Sequence, residues 1–137
     1  MSKTGPIIII EDEEREIGLY QAILPLKNKV IYFRNGRTAL DYLETTKDDP
    51  FIIICDINMP VMDGLDLRER INSNPYLKKK ATPFVFRTAS ATRLNFKKSY
   101  DLNVQGFFKK NHAHAEDEKQ INLIIDYWQE NSIEEEL

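Results

Sequence analysis

Five short apolar runs recur along the chain: Ile7 to Ile10, Val30 to Phe33, Phe51 to Cys55, Phe84 to Phe86 and Val104 to Phe108. Each has the length of a strand. Between and after them, apolar residues fall three and four apart, as in Ile17, Tyr20, Ile23 and Leu24, then Leu40 and Leu43, then Leu67 and Ile71. The spacing is clearest in Ile121, Ile124, Ile125 and Trp128, which repeat at i, i+3, i+4 and i+7. Strands that alternate with amphipathic helices predict crossover connections, hence a parallel sheet covered on both faces. The first and third runs, apolar at every position, read as its central strands. Asn35-Gly36, Pro50, Asp63-Gly64, Asn74-Pro75 and Pro83 punctuate the connections as turn or helix-end signals.

A length of 137 residues suits one domain, expected over residues 1–130, with an acidic tail over 131–137 around Glu134 to Glu136. Lys and Arg total 19 against 22 Asp and Glu, a net charge of -3 that offers no field for nucleic acid or an acidic membrane. Lys78 to Lys80 and Lys97-Lys98 lack the interleaved aromatics of a nucleic-acid groove. The longest apolar stretches fall far short of the ~18 residues of a membrane span. Glu11 cuts off the first of them too early for a signal peptide. The lone cysteine, Cys55, excludes an internal disulfide and reads as a small core residue. The expectation is a cytoplasmic protein.

In an open parallel α/β sheet, ligands bind beyond the carboxyl ends of the strands. Those ends carry Glu11 and Asp12, then Asp56, Thr88 and the Lys109-Lys110 pair, while the second run ends in Arg34, Asn35 and Gly36 with no acid. In a 2-1-3-4-5 order the first and third strands adjoin, bringing Glu11, Asp12 and Asp56 together. Carboxylates so placed repel and call for a cation. With oxygen donors only and no His or Cys beside them, a hard ion such as Mg²⁺ fits best. Lys110 and the Thr88 hydroxyl supply the fixed charge and hydrogen-bond donor that a phosphoryl group needs. The set predicts phosphoryl transfer onto a carboxylate. Taken singly, Glu11 to Glu14 would be the acidic start of a helix, and Thr88 an ordinary strand residue. Asp56, directly after five apolar residues, has little structural purpose of its own, and the co-occurrence decides. His112 and His114, two apart, share no helix face and suggest no metal site.

The segments Ile-Ile-Glu-Asp-Glu at 9–13, Cys-Asp-Ile-Asn-Met-Pro-Val-Met-Asp-Gly at 55–64, Arg-Thr-Ala-Ser at 87–90 and Gly-Phe-Phe-Lys-Lys at 106–110 carry a family resemblance. With them the chain resembles the receiver domain of two-component response regulators, from about Ile7 to about Gln129. The stretch from Asn74-Pro75 through Lys80 to Pro83 is more weakly similar to single-domain, phytochrome-associated receivers. The resemblance implies a flavodoxin-like, doubly wound, five-stranded parallel sheet in the order 2-1-3-4-5 with five helices. It implies that Asp56 is the phosphoacceptor, and that Glu11, Asp12, Asp56 and the Asn58 backbone carbonyl hold Mg²⁺, directly or through water. Thr88 and the Ala89 N–H would then hold the phosphoryl oxygens. The family pattern of glycine, aromatic, two variable residues, lysine and proline matches Gly106 to Asn111, so Lys110 is the implied functional lysine. Phe107 is the implied aromatic whose rotamer follows Thr88. Asn111 departs from the pattern where proline is usual, and Ser90 where a bulkier or charged residue tunes hydrolysis.

The leading expectation is a stand-alone receiver, an enzyme only toward its own aspartyl phosphorylation and dephosphorylation. A histidine kinase or phosphotransfer protein would phosphorylate Asp56, and the surface around the fourth helix, fifth strand and fifth helix would bind a downstream protein, with a homodimer left open. An aspartyl-nucleophile phosphatase of the haloacid dehalogenase type would need a second Asp two residues on, where Asn58 stands. A flavodoxin-like FMN binder would want Ser, Thr and Gly after the first strand, where Glu11 to Glu14 repel phosphate. A degenerate receiver, binding partners without phosphorylation, is kept open by Asn111.

Overall fold

The structure is a computed structural model that describes residues 1–24 and 27–137. Five strands, β1 (Ile7–Ile10), β2 (Val30–Phe33), β3 (Ile52–Cys55), β4 (Phe84–Thr88) and β5 (Gly106–Lys109), form one parallel sheet in the order β2-β1-β3-β4-β5. β1 and β3 pair in register, Ile7 to Ile52 through Ile10 to Cys55, so both strands end at the same height. All eight of these residues are buried, because helices cover both faces. The connections are α1 (Glu14–Ile23), α2 (Gly36–Thr45), α3 (Gly64–Asn72), α4 (Pro75–Lys80), α5 (Arg93–Asp101) and α6 (His114–Glu130).

Side chains alternate along each strand, and the two resulting cores differ in their helices. Ile8, Ile10, Ile53, Cys55, Phe84 and Phe86 pack with Leu40 and Leu43 of α2, Leu67 and Ile71 of α3 and Leu77 of α4. Ile7, Ile9, Ile52, Ile54 and Val85 pack with Leu19 and Tyr20 of α1 and with Ile121, Ile124 and Ile125 of α6, while Trp128 lies half-buried at the edge. α5 buries only Ser99 and leaves Leu94, Phe96 and Tyr100 exposed.

Among the described residues the α-helices number six, not five. α4 forms because the Asn74 side chain accepts from the N–H groups of Tyr76 and Leu77, Pro75 occupies the first turn and Leu77 is buried. The expected fourth and fifth helices are therefore α5 and α6. β5 begins at Gly106 rather than Val104, since Gln105 uses its side chain to accept the Phe84 N–H. The acidic tail makes a 3₁₀ turn at Glu134–Glu136, with Glu136 2.9 Å from Lys3. Among the described residues no helix is long and apolar enough to cross a membrane.

Candidate functional site

The matched ends of β1 and β3 place two acids side by side. The N–H of Asp56 donates to Ile10 O at 2.9 Å and that of Glu11 to Phe33 O at 2.8 Å, extending the ladders by one residue on each strand. Glu11 and Asp56 are buried and Asp12 is exposed, and their oxygens lie within 4.8 Å of one another. Lys110, just past β5, sends its ammonium under this group, 2.7 Å from Glu11 Oε1 and 2.9 Å from Asp56 Oδ2. The exposed Glu13 carboxylate lies 3.6 Å away. Lys109 is exposed and makes no such contact. The remaining oxygens of the buried pair accept backbone N–H groups, Glu11 Oε2 from Glu13 and Asp56 Oδ1 from Ile57.

Burial, and then the charge of Asp56, push the Glu11 carboxyl up from its ordinary 4.5 to about 7, with Lys110 opposing them. Burial disfavours the charged Lys110 ammonium, but its bonds to Glu11 and Asp56 outweigh this and hold it above the usual lysine range. The site therefore already contains one cation among three carboxylates. Its exposed mouth at Asp12 presents only oxygen donors. This is the donor set of a hard divalent ion, and the residues present fit one.

The connection after β3 shapes the rim. The Gly64 N–H donates to Ile57 O, and a Cβ at Gly64 would lie 2.2 Å from Asp56 O, so only glycine permits this approach. Val61, fully in solvent at 82% exposure, has a φ of 69°, and the Met62 N–H turns back to Pro60 O at 2.8 Å, closing a three-residue γ-turn. The Asn58 side chain donates to Ser90 Oγ, clasping this loop to the one after β4. Thr88 is buried, its hydroxyl oxygen accepting the Ser90 N–H at 3.1 Å, and Ala89 is exposed beside it. Phe107 is half-buried, edge to face with Phe96 of α5.

The fold thus gathers Glu11, Asp12, Asp56 and Lys110 at one point, with Thr88, Ala89 and Asn58 on the adjoining loops and Phe107 one strand away. On the other face of β4 lies a buried polar group that no sequence motif marks: Arg87 with Glu16 and Tyr20 of α1 and Asp117 and Gln120 of α6. An arginine directly after Phe84-Val85-Phe86 was its one local signal.

Comparison with known proteins agrees with this geometry. The family model for the response regulator receiver domain matches residues 7–122. Response regulator Rcp1 of Synechocystis sp. is 27% identical over 132 residues, covering 90% of this chain and 88% of its own. The phosphorylated cyanobacterial phytochrome response regulator RcpA superposes with a TM-score of 0.84 at 25% identity, over 94% of this chain and 96% of its own. The Mn²⁺-bound form of Rcp1 gives 0.82 at 26% identity, over 94% and 97%. With the sheet order, the acidic cluster and the family match in agreement, the chain belongs to the response regulator receiver domain family.

Proposed function

We propose that the protein is a phosphorylation-controlled switch in which Asp56 accepts a phosphoryl group from a histidine kinase or phosphotransfer protein. The observation that carries this reading is the buried Lys110 ammonium held between Asp56 and Glu11, beneath an all-oxygen cluster whose mouth opens at Asp12. A carboxylate oxygen of Asp56 forms the new bond to phosphorus as the donor's phosphorus–nitrogen bond breaks, and the imidazole leaves with that electron pair. Lys110 and the Thr88 hydroxyl, with the Ala89 N–H, then hold the transferred oxygens. Mg²⁺ would be held by Glu11, Asp12, Asp56 and the Asn58 carbonyl, and when bound it neutralises charge on the phosphoryl oxygens. The phosphorylated form of RcpA and the Mn²⁺-bound form of Rcp1 support both assignments.

The output surface is α5, β5 and α6, where Leu94, Tyr100, Leu123 and Tyr127 are exposed for a downstream protein. A second copy of the chain is a further candidate for that face. The protein works in the cytoplasm, on no nucleic acid or membrane, and catalyses only its own aspartyl chemistry. Intact-mass measurement with acetyl phosphate tests the reading. A single phosphoryl adduct is expected with Mg²⁺, absent in EDTA and in Asp56→Asn. An adduct of equal yield in Asp56→Asn would overturn it.

A further inference from the structure

The peptide groups on both sides of Lys110 are gripped by side chains of α6. Gln120 Nε2 donates to Lys109 O at 2.9 Å, and the Asn111 N–H donates to Asp117 Oδ1 at 2.8 Å. Behind both stands the fully buried Arg87, whose Nε donates to Gln120 Oε1 at 2.7 Å. Its Nη2 lies 2.8 Å from Asp117 Oδ1, a charge contact without hydrogen-bond alignment, and its Nη1 pairs with Glu16. A third anchor is the Lys110 N–H, which donates to Thr88 O at 3.0 Å.

This frame acts where the chain differs from the family pattern. Proline at position 111 would have no N–H and a φ fixed by its ring. Asn111 has both the N–H and the rotational freedom, and His112 next to it takes a left-handed φ of 57°. Left to itself this segment has several ways to turn. Asp117 removes that freedom by accepting the very N–H that proline lacks. Burial works against the Asp117 charge, but the Asn111 N–H and Arg87 outweigh it and hold the carboxyl below its ordinary range.

We propose that Asp117, backed by Arg87 and Gln120, is a positioning residue that fixes the Lys110 backbone so that its ammonium stays between Glu11 and Asp56. A lysine with four flexible bonds reaches a fixed point reproducibly only from a fixed Cα, and displacement of an active group by about 1 Å costs up to two orders of magnitude in rate. The effect on phosphorylation rests on the reading of Asp56 and Lys110 above.

The experiment is a double-mutant cycle over Asp117→Ala and Lys110→Ala, with Asp117→Asn added. It reads the initial rate of adduct formation with acetyl phosphate and Mg²⁺, and hydrogen exchange of the Lys110 ammonium by ¹⁵N NMR without Mg²⁺. Asp117→Ala is expected to slow uptake about tenfold when Lys110 is present and less than about twofold when it is absent. Asp117→Asn, whose amide oxygen still accepts from Asn111, is expected to regain most of the rate. Ammonium exchange should quicken about tenfold in Asp117→Ala. Equal losses in both backgrounds, or unchanged exchange, would overturn the proposal. If the wild-type protein takes no phosphoryl group, the phosphoacceptor reading fails and the ammonium exchange alone judges the positioning role. Should Asp117→Ala not fold, Gln120→Ala, which releases the Lys109 carbonyl and the Arg87 Nε but leaves the bond from Asn111 to Asp117 in place, carries the same comparison.

Discussion

Phe107 on β5 meets Phe96 on α5 edge to face, with ring centroids 5.5 Å apart and planes at 81°. Phe96 is itself 53% exposed, so the pair joins the sheet to a helix that buries only Ser99. A movement of either ring changes the surface that α5 presents. The proposed switch has the Thr88 hydroxyl, which now accepts the Ser90 N–H, turn to a phosphoryl oxygen and open space for Phe107. NMR of the protein with beryllofluoride and Mg²⁺ is expected to shift the resonances of Phe96, Phe107 and α5, and Thr88→Ala to confine the shifts to the loops around Asp56. Shifts confined in the wild type as well would leave the protein without this switch.

Lys110 and Lys109 are separated by one position and by their surroundings, one buried against two carboxylates and the other in solvent. Lys110→Ala is expected to slow phosphoryl uptake from acetyl phosphate on the order of a hundredfold, the scale for losing one fixed charge from such a site. Lys109→Ala should stay within about twofold of the wild type. Comparable defects in the two variants would reassign the lysine.

Glu11 gives the site a pH dependence. Its folded value of about 7 lies above the ordinary 4.5, so the folded, metal-free protein keeps a proton that the unfolded chain has released. This group's contribution to stability is thus full below about 4.5 and lost as pH rises through about 7. Mg²⁺ must displace the same proton, so its affinity should rise with pH across that window and level off above it. Calorimetric titration between about pH 5.5 and 8.5 checks this, with Glu11→Gln expected to be weaker and flatter. An equally steep profile in Glu11→Gln would place the titrating group elsewhere.

Val61 holds a left-handed φ of 69° with an exposed, β-branched side chain, a conformation that costs an ordinary residue about 1–2 kcal/mol. Glycine relieves that cost and gives back part of it as freedom in the unfolded chain. Val61→Gly is therefore expected to stabilise the protein by about 1 kcal/mol in urea denaturation. A loss of stability would show that the valine is held by contacts worth more than its strain.

Much of the sheet was legible because Ile7 to Ile10 and Ile52 to Cys55 carry no polar residue, which only a strand buried on both faces tolerates. The site residues were legible for a related reason, since acids directly after such runs have nowhere to sit but the strand ends. α4 was marked by Asn74-Pro75, yet six residues are too few to show a helical period. Val104 matched the apolar run it precedes, but hydrogen bonding by Gln105 delays the strand to Gly106. The Arg87 group left least trace, because Glu16, Arg87 and Asp117 are brought together by tertiary structure alone and no local spacing encodes their meeting.

Arg87 and Thr88 are consecutive on β4 yet serve opposite faces of the sheet, the guanidinium toward α1 and α6 and the hydroxyl toward the Asp56 loops. Gain or loss of a single codon within Phe84–Thr88 would turn an arginine toward one apolar core and a threonine toward the other. Substitution and length change are therefore tolerated in different places. β4 can drift only by side-chain exchange, whereas insertions belong in the connections, where no alternation of faces has to be kept. A library built to retune this protein should follow the same division.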